Sequence, residues 1–222
     1  QAWLEHNGVL RFPCQNLDDD KFLDFARRFG DLDMAPINAN GGNWKPEYPE
    51  LAVISNVVQD GKPIGSLGSY ESKWHTDMSY NELPPKASIL YAIELPLEGG
   101  NTGFASTAAA YDALSDDMKE RIAGLTCKHD SSHNSVGQVR KGFQEVYEDR
   151  EDIPGAVHPL VAEHPETGRR VIYLGRRARA YIQELDQAES DALLDELFAH
   201  ITQPRFTWTQ KWRLGDVVIW DN

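Results

Sequence analysis

Short β-branched runs broken by turn residues recur along this chain, and that alternation constrains its fold more than any other feature. Leu51 to Val58, Ala87 to Ile93 and Arg170 to Leu174 are mostly apolar, with Val and Ile recurring, the residue types that fit a pleated, half-buried surface. Phe206, Trp208 and Gln210 alternate with other residues, Gly215-Asp216 turns the chain, and Val217-Val218-Ile219-Trp220 follows. His164-Pro165-Glu166-Thr167-Gly168 reads as a turn, and residues 35–49, with several Gly, Asn and Pro, read as a loop. Helical spacing is confined to three places. Asp18-Asp19-Asp20 precedes Phe22, Phe25, Ala26 and Phe29, with Gly30 closing the segment; the acids suit the positive end of a helix. Thr107 to Leu125 predicts one helix, with Ala110, Leu114, Met118 and Ile122 on one face. Ala188 to Ile201 predicts another, its buried stripe formed by Leu193, Leu194, Leu197, Phe198 and Ile201, with Pro204 beyond its end. The fold class is therefore mainly β with flanking helices, a sandwich or jelly roll. No repeat, low-complexity tract or long linker interrupts residues 1–222, which predicts one domain.

The 222 residues are enough for one sizeable core, and the apolar fraction of 41% is ordinary for a globular protein. No run approaches the roughly 20 apolar residues of a membrane span. No charged-then-apolar leader is visible, so an export signal is not expected. Cys14 and Cys127 form no zinc ribbon or disulfide framework, so a reducing, cytoplasmic setting is expected. A net charge of −13 argues against nucleic acid as partner. It leaves room for a small anion, because a few local cations dominate one pocket. No Walker-type or dinucleotide fingerprint is present.

Within Lys73-Trp74-His75-Thr76-Asp77-Met78-Ser79-Tyr80, an imidazole and a carboxylate stand two residues apart. If the segment is extended they share a face. One borderline and one hard ligand suit a divalent first-row metal. A second imidazole would complete a 2-His-1-carboxylate facial triad, whose open positions mark non-haem Fe(II) oxygenases. Alone, His-x-Asp is a weak signal: in a chain with this many acids it recurs by chance, as a surface histidine beside a solvated aspartate.

Three further stretches accompany Trp74-His75-Thr76-Asp77. They are Glu94-Leu95-Pro96-Leu97-Glu98-Gly99-Gly100-Asn101-Thr102, then His158-Pro159-Leu160-Val161 with His164-Pro165-Glu166-Thr167-Gly168-Arg169, and then Phe198-Ala199-His200-Ile201 through Trp212-Arg213 to Trp220-Asp221-Asn222. In order and spacing they resemble the taurine dioxygenase and 2,4-D dioxygenase family of Fe(II)/2-oxoglutarate oxygenases, over nearly the whole chain. The resemblance implies a double-stranded β-helix (jelly roll) core, Fe(II) as metal, 2-oxoglutarate as co-substrate and dioxygen. It matches His75 and Asp77 to two iron ligands. It matches Thr102 to a threonine bonding the distal carboxylate of 2-oxoglutarate; otherwise Thr102 is a turn hydroxyl after Gly99-Gly100. Trp220 matches an aromatic residue beside the iron, or is plain core. The glycine pair serves a tight turn.

The family's second iron histidine, and the arginine that pairs with 2-oxoglutarate, follow its Trp-Asp-Asn segment. Both are expected beyond Asn222, and Gln1-Ala2-Trp3-Leu4 resembles a point inside the family's N-terminal region. The histidines within the chain have other expected roles: strand-edge or turn hydrogen bonding for His158 and His164, a helix C-terminal cation for His200, exposure for His6. His129 and His133 have metal-like spacing in a segment expected to cover the site. The activity implied is hydroxylation of a small organic, anionic substrate (a sulfonate, aryloxyalkanoate or other carboxylic acid) with release of succinate and CO2. Arg176, Arg177 and Arg179 are candidates to pair with that anion, or form a solvated basic turn. Glu71 stands where taurine-type enzymes carry asparagine, which puts taurine itself in doubt. Expected partners are substrate, 2-oxoglutarate and dioxygen, with no nucleic acid and no membrane; self-association is left open. The alternative from another class is a non-catalytic jelly-roll binding protein that has lost a complete metal site.

Overall fold

Most of the apolar runs fold as strands, of two to five residues each. The computed structural model describes residues 8–36, 42–67, 72–175 and 179–222. In chain order the elements begin with β1 (Val9–Phe12), α1 (Asp19–Ala26), β2 (Ile54–Ser55), β3 (Val58–Gln59), β4 (Lys62–Pro63) and β5 (Ser66–Leu67). Next come β6 (Ala87–Tyr91), β7 (Thr102–Ala105), α2 (Thr107–Asp112), α3 (Asp116–Ile122) and β8 (Thr126–Lys128). The last are β9 (Val157–Pro159), β10 (Val161–Glu163), β11 (Arg170–Ile172), β12 (Tyr181–Ile182), α4 (Gln187–Ile201), β13 (Thr207–Gln210) and β14 (Val217–Asp221). The described residues are thus mainly β with few helices. None of their helices is long and apolar enough to cross a membrane. They group into two compact units: Gln1–Gln15 with Trp74–Ser131 and Ile153–Asn222, and Asn16–Lys73 with Ser132–Asp152.

In the first unit β14 lies between β1 and β6, both antiparallel to it, with Ile219 opposite Leu10 and Ile89. Val217, Val218 and Ile219 are fully buried, as a central strand's continuous apolar run demands. β12, β8 and β9 form a second antiparallel sheet, β10 pairs β11, and β13 pairs β7 with Gln210 opposite Thr102. The core gathers Ile122, Leu160, Ile172 and Ile182 around the stripe Leu193, Leu194 and Leu197 of α4. That helix opens on Asp186, whose side chain accepts from the Glu189 N–H.

Asp216 anchors the turn before β14. It is buried and accepts from Arg11 Nη2, Gln210 Nε2 and the Arg213 N–H, each at 2.9 Å. Burial raises its pKa, but these donors outweigh that and hold the carboxyl below its usual range. Gly215 beside it has φ 80°, and a Cβ there would lie 2.7 Å from the Gln15 carbonyl oxygen, so only glycine fits.

Two expected elements are divided. Thr107 to Leu125 is two helices rather than one. Ser115 accepts from the Met118 N–H at 3.2 Å and starts α3 afresh, with Asp116 and Asp117 in its first turn. An N-cap serine followed by acids is a stronger local signal than the apolar face that runs through it. Leu51 to Val58 yields only the fragments β2 and the start of β3. Ser55 turns its hydroxyl to the Val57 N–H there, at 3.0 Å, competing with ladder pairing.

In the second unit Asp18 caps α1, accepting from the Lys21 N–H at 2.9 Å. β2 pairs β5 in parallel, and β3 pairs β4 antiparallel.

Candidate active site

His75 Nε2 and Asp77 Oδ1 lie 3.2 Å apart. The two side chains therefore meet, just before a turn. Residues 77–80 form a turn, and Met78 carries φ 49°. A bulky side chain in that left-handed region costs about 1–3 kcal/mol and persists only where its surroundings hold it.

The surroundings do hold it. Thr76 Oγ1 donates to the Leu174 carbonyl at 2.7 Å. The Asp77 N–H donates to Asn222 Oδ1 at 2.9 Å, and Asn222 Nδ2 donates back to the Asp77 carbonyl at 2.7 Å and to that of Pro85 at 3.1 Å. Trp74 lies against Gly103, where a Cβ would sit 2.7 Å from its Cη2. The neighbour of His75 is thus packed on the neighbour of Thr102, and a side chain at 103 would have to displace the Trp74 indole.

The pair suits a metal ion in chemistry and in spacing. Nitrogen and oxygen ligands each roughly 2.1 Å from one ion, at right angles to one another, stand roughly 3 Å apart. Among the described residues no group of three His, Cys, Asp or Glu side chains gathers around an ion position. A third protein ligand is therefore not among them.

Thr102 begins β7, and its Oγ1 accepts from Trp212 Nε1 at 2.9 Å. An indole N–H can only donate. It takes a lone pair and leaves the hydroxyl hydrogen of Thr102 for an acceptor elsewhere. Phe104, two residues on and on the same face, packs on Trp208 and Trp220 at centroid distances of 5.8 and 5.3 Å. Trp220 so belongs to an aromatic row on the Thr102 face of β7. Gly99 and Gly100 have φ of 77° and 71°, as a tight turn before that strand requires.

The remaining histidines separate cleanly. His158 Nε2 meets the Asn81 carbonyl at 3.0 Å. His164 Nδ1 accepts from the Glu166 and Thr167 N–H groups at 3.3 and 3.2 Å, which places its proton on Nε2, 2.8 Å from Asp221 Oδ2. Burial raises the Asp221 carboxyl above its usual range, and the His164 contact only partly offsets this. His200 is not simply a cation at a helix end: its Nε2 donates to the Ala110 carbonyl of α2 at 2.8 Å. His133 Nδ1 pairs with Ser132 Oγ at 2.8 Å, in the second compact unit, whereas His129 belongs to the first. His129 is buried against His158 and Tyr173, with neither ring nitrogen hydrogen-bonded among the described residues. Burial above all, and then His158, lower its pKa to about 3. Burial pushes Tyr173 up to about 12. Arg179 is half-buried, while His6, Glu71, Arg176 and Arg177 lie outside the described residues.

Sequence reasoning passed over Thr76, Trp212 and Asn222. All three stand in stretches that carry the family resemblance, yet none has a spacing that announces a partner 98, 110 or 145 residues away.

Comparison with known proteins gives this geometry its setting. The family described as "Taurine catabolism dioxygenase TauD, TfdA family" matches residues 1–222. The chain belongs to that family, and its class is 2-oxoglutarate-dependent dioxygenase, enzymes that use Fe(II) with 2-oxoglutarate as co-substrate. It is 36% identical over 225 residues to an alpha-ketoglutarate-dependent 2,4-dichlorophenoxyacetate dioxygenase of a Burkholderia species, covering 99% of this chain and 75% of that one. It is 37% identical over 236 residues to an (S)-phenoxypropionate/alpha-ketoglutarate-dioxygenase of Sphingobium herbicidovorans, covering 100% and 75%. Among solved structures, AAD-2 in complex with Mn(II) and N-oxalylglycine is similar with a TM-score of 0.73 at 31% identity, over 99% of this chain and 74% of that one.

Proposed function

We propose that residues 1–222 form a single jelly-roll dioxygenase domain in which His75 and Asp77 hold Fe(II) and Thr102 anchors 2-oxoglutarate. The observation that carries this reading is the convergence of His75 and Asp77 at 3.2 Å on a turn fixed from two sides. Bound there, Fe(II) supplies activation of dioxygen coupled to decarboxylation of 2-oxoglutarate, giving succinate, CO2 and a hydroxylated product. The chain's own residues supply orientation. His75 and Asp77 fix two adjacent ligand directions. Thr102, its lone pair engaged by Trp212, directs its O–H at the distal carboxylate of the co-substrate. N-oxalylglycine, held in the AAD-2 structure, is 2-oxoglutarate with an N–H in place of one methylene, which supports a co-substrate of that shape.

The substrate proposed is a small carboxylic acid of the aryloxyalkanoate kind, in keeping with the 2,4-dichlorophenoxyacetate and (S)-phenoxypropionate dioxygenases it is similar to. Arg179, half-buried and without an ion pair among the described residues, is the arginine proposed to meet its carboxylate. The setting proposed is the cytoplasm, in keeping with exposed Cys14 and buried Cys127, which form no disulfide among the described residues. The test is succinate release from 2-oxoglutarate by the intact protein with Fe(II), across aryloxyalkanoates, sulfonates and other carboxylates. Stimulation by an aryloxyalkanoate is the expected result. Stimulation by sulfonates alone overturns the substrate, and no succinate with any compound overturns the enzyme in favour of a binding protein.

Thr102→Val keeps the shape and removes the hydroxyl. Loss of a hydrogen bond to a charged group costs about 1.5–3 kcal/mol, so the apparent KM for 2-oxoglutarate is expected to rise roughly ten- to hundredfold. Substrate KM, measured at saturating 2-oxoglutarate, should move much less. Equal weakening of both would return Thr102 to the role of a turn residue.

A further inference from the structure

We infer that Asn222 is the positioning residue of the metal site: its side-chain amide clamps the main chain of Asp77 and so aims the carboxylate. This rests on the assignment of His75 and Asp77 as metal ligands. The amide treats Asp77 as a β-ladder would, accepting from its N–H at 2.9 Å and donating to its C=O at 2.7 Å. With both peptide groups of one residue fixed, the direction of its Cα–Cβ bond follows. The second amide hydrogen reaches the Pro85 carbonyl at 3.1 Å, and the main-chain N–H of Asn222 reaches the Lys86 carbonyl at 3.1 Å. Both amide donors and the amide oxygen are therefore engaged, and the group has one orientation: exchanging its oxygen and nitrogen would set donor against donor at Asp77.

Three features show that the clamp serves the ligand turn rather than the fold at large. First, the residue that follows Asp77 is Met78 at φ 49°, a conformation that needs outside support. Second, the bonds run to main-chain atoms of Asp77 itself, and none of them uses its carboxylate. Third, the preceding residue of β14 serves another partner: Asp221 pairs with His164 of the turn after β10. Neighbouring strand residues face opposite ways, so one strand end ties two loops, and only the Asn222 side carries ligands. Aspartate at 222 cannot replace asparagine, since it brings oxygen against the Asp77 and Pro85 carbonyls. Glutamine is a methylene too long to keep both bonds.

The test measures Mn(II) affinity by electron paramagnetic resonance on the intact protein with 2-oxoglutarate present, alongside thermal midpoints. Asn222→Ala is expected to weaken Mn(II) binding roughly 10- to 100-fold, the range for loss of a group that orients a ligand. Asn222→Asp, the same size but with an oxygen set against the Asp77 and Pro85 carbonyls, should weaken it at least as much, and it carries the test if the alanine variant does not fold. Asp221→Asn disturbs the same strand end on its other side. It is expected to lower the midpoint while holding Mn(II) affinity within about twofold of the parent, well short of the loss predicted above. Parent-like Mn(II) affinity in the Asn222 variants overturns the inference, as does an equal loss in Asp221→Asn. His75→Ala tells the two readings apart. If it too binds Mn(II) like the parent, the metal assignment has failed and the clamp with it; if it alone loses Mn(II), only the clamp has failed.

Discussion

Replacing His75 or Asp77 by alanine is expected to abolish succinate formation while the protein stays folded. Neither side chain is part of the core, with 23% and 34% of their surfaces exposed, and substitutions at such positions usually shift stability by about 0.5 kcal/mol or less. The bonds that hold the turn are made by the Thr76 hydroxyl and the Asp77 main chain, and they survive removal of either ligand. Catalysis has no such reserve. Removing a group that merely orients a ligand costs roughly 10–100-fold in affinity or activity, and removing the ligand itself costs more. Asp77→Glu is expected to fail almost as badly, because an added methylene displaces the carboxylate by about 1 Å and reactive geometry does not tolerate that. The measurement is 2-oxoglutarate turnover beside the thermal midpoint of each variant. Undiminished succinate from either alanine variant would remove the ligand assignment, and a collapsed midpoint would show that the residue holds the fold instead.

The meeting of His75 and Asp77, proposed here as metal ligands, was legible because two chemistry-bearing side chains stood two residues apart among stretches that resemble one family. The turn that follows them was not. Nothing in Trp74-His75-Thr76-Asp77-Met78 announces that Met78 will adopt φ 49°. That conformation depends on Asn222 and Leu174, which are remote in sequence, and a local pattern carries no information about remote hydrogen bonds. The same limit explains Trp212. Its indole meets the Thr102 hydroxyl because β13 pairs β7 in one register, with Gln210 opposite Thr102, and register is a property of the sheet. Helix positions were better read, since α4 repeats its apolar stripe within the segment itself. The division of α2 from α3 was also available in the sequence: Ser115-Asp116-Asp117 is a capping signal, and the apolar face running through it obscured the break. The mainly β character was legible from the short runs, whereas their pairing order was not.

Acid is expected to destabilise this protein through His129, over a window that its surroundings define. The ring is buried, neither nitrogen has a hydrogen-bond partner among the described residues, and burial followed by His158 lowers its pKa to about 3. In the unfolded chain the same imidazole titrates near 6.5. Above about pH 6.5 it is neutral in both states and has no effect on the pH dependence. Between about 6.5 and 3 the unfolded chain takes up a proton that the folded protein refuses, so stability falls by about 1.4 kcal/mol per pH unit; below about 3 the loss is complete. The whole window is worth about 4–5 kcal/mol, a large share of the roughly 5–15 kcal/mol that typically separates folded from unfolded. His129→Leu should remove this contribution. From pH 7 to pH 5 the variant is expected to lose about 2 kcal/mol less than the parent in denaturant unfolding. At pH 7 leucine should be tolerated, because a side chain of similar bulk replaces a ring whose polar atoms are unsatisfied. The difference between the two pH slopes is the decisive quantity, since Asp221, raised by burial, responds to acid in the opposite sense and is common to both proteins. Identical slopes for parent and variant would mean that His129 accepts a proton in the folded protein, and hence that its ring is not held as dry as its contacts with Tyr173 and His158 make it.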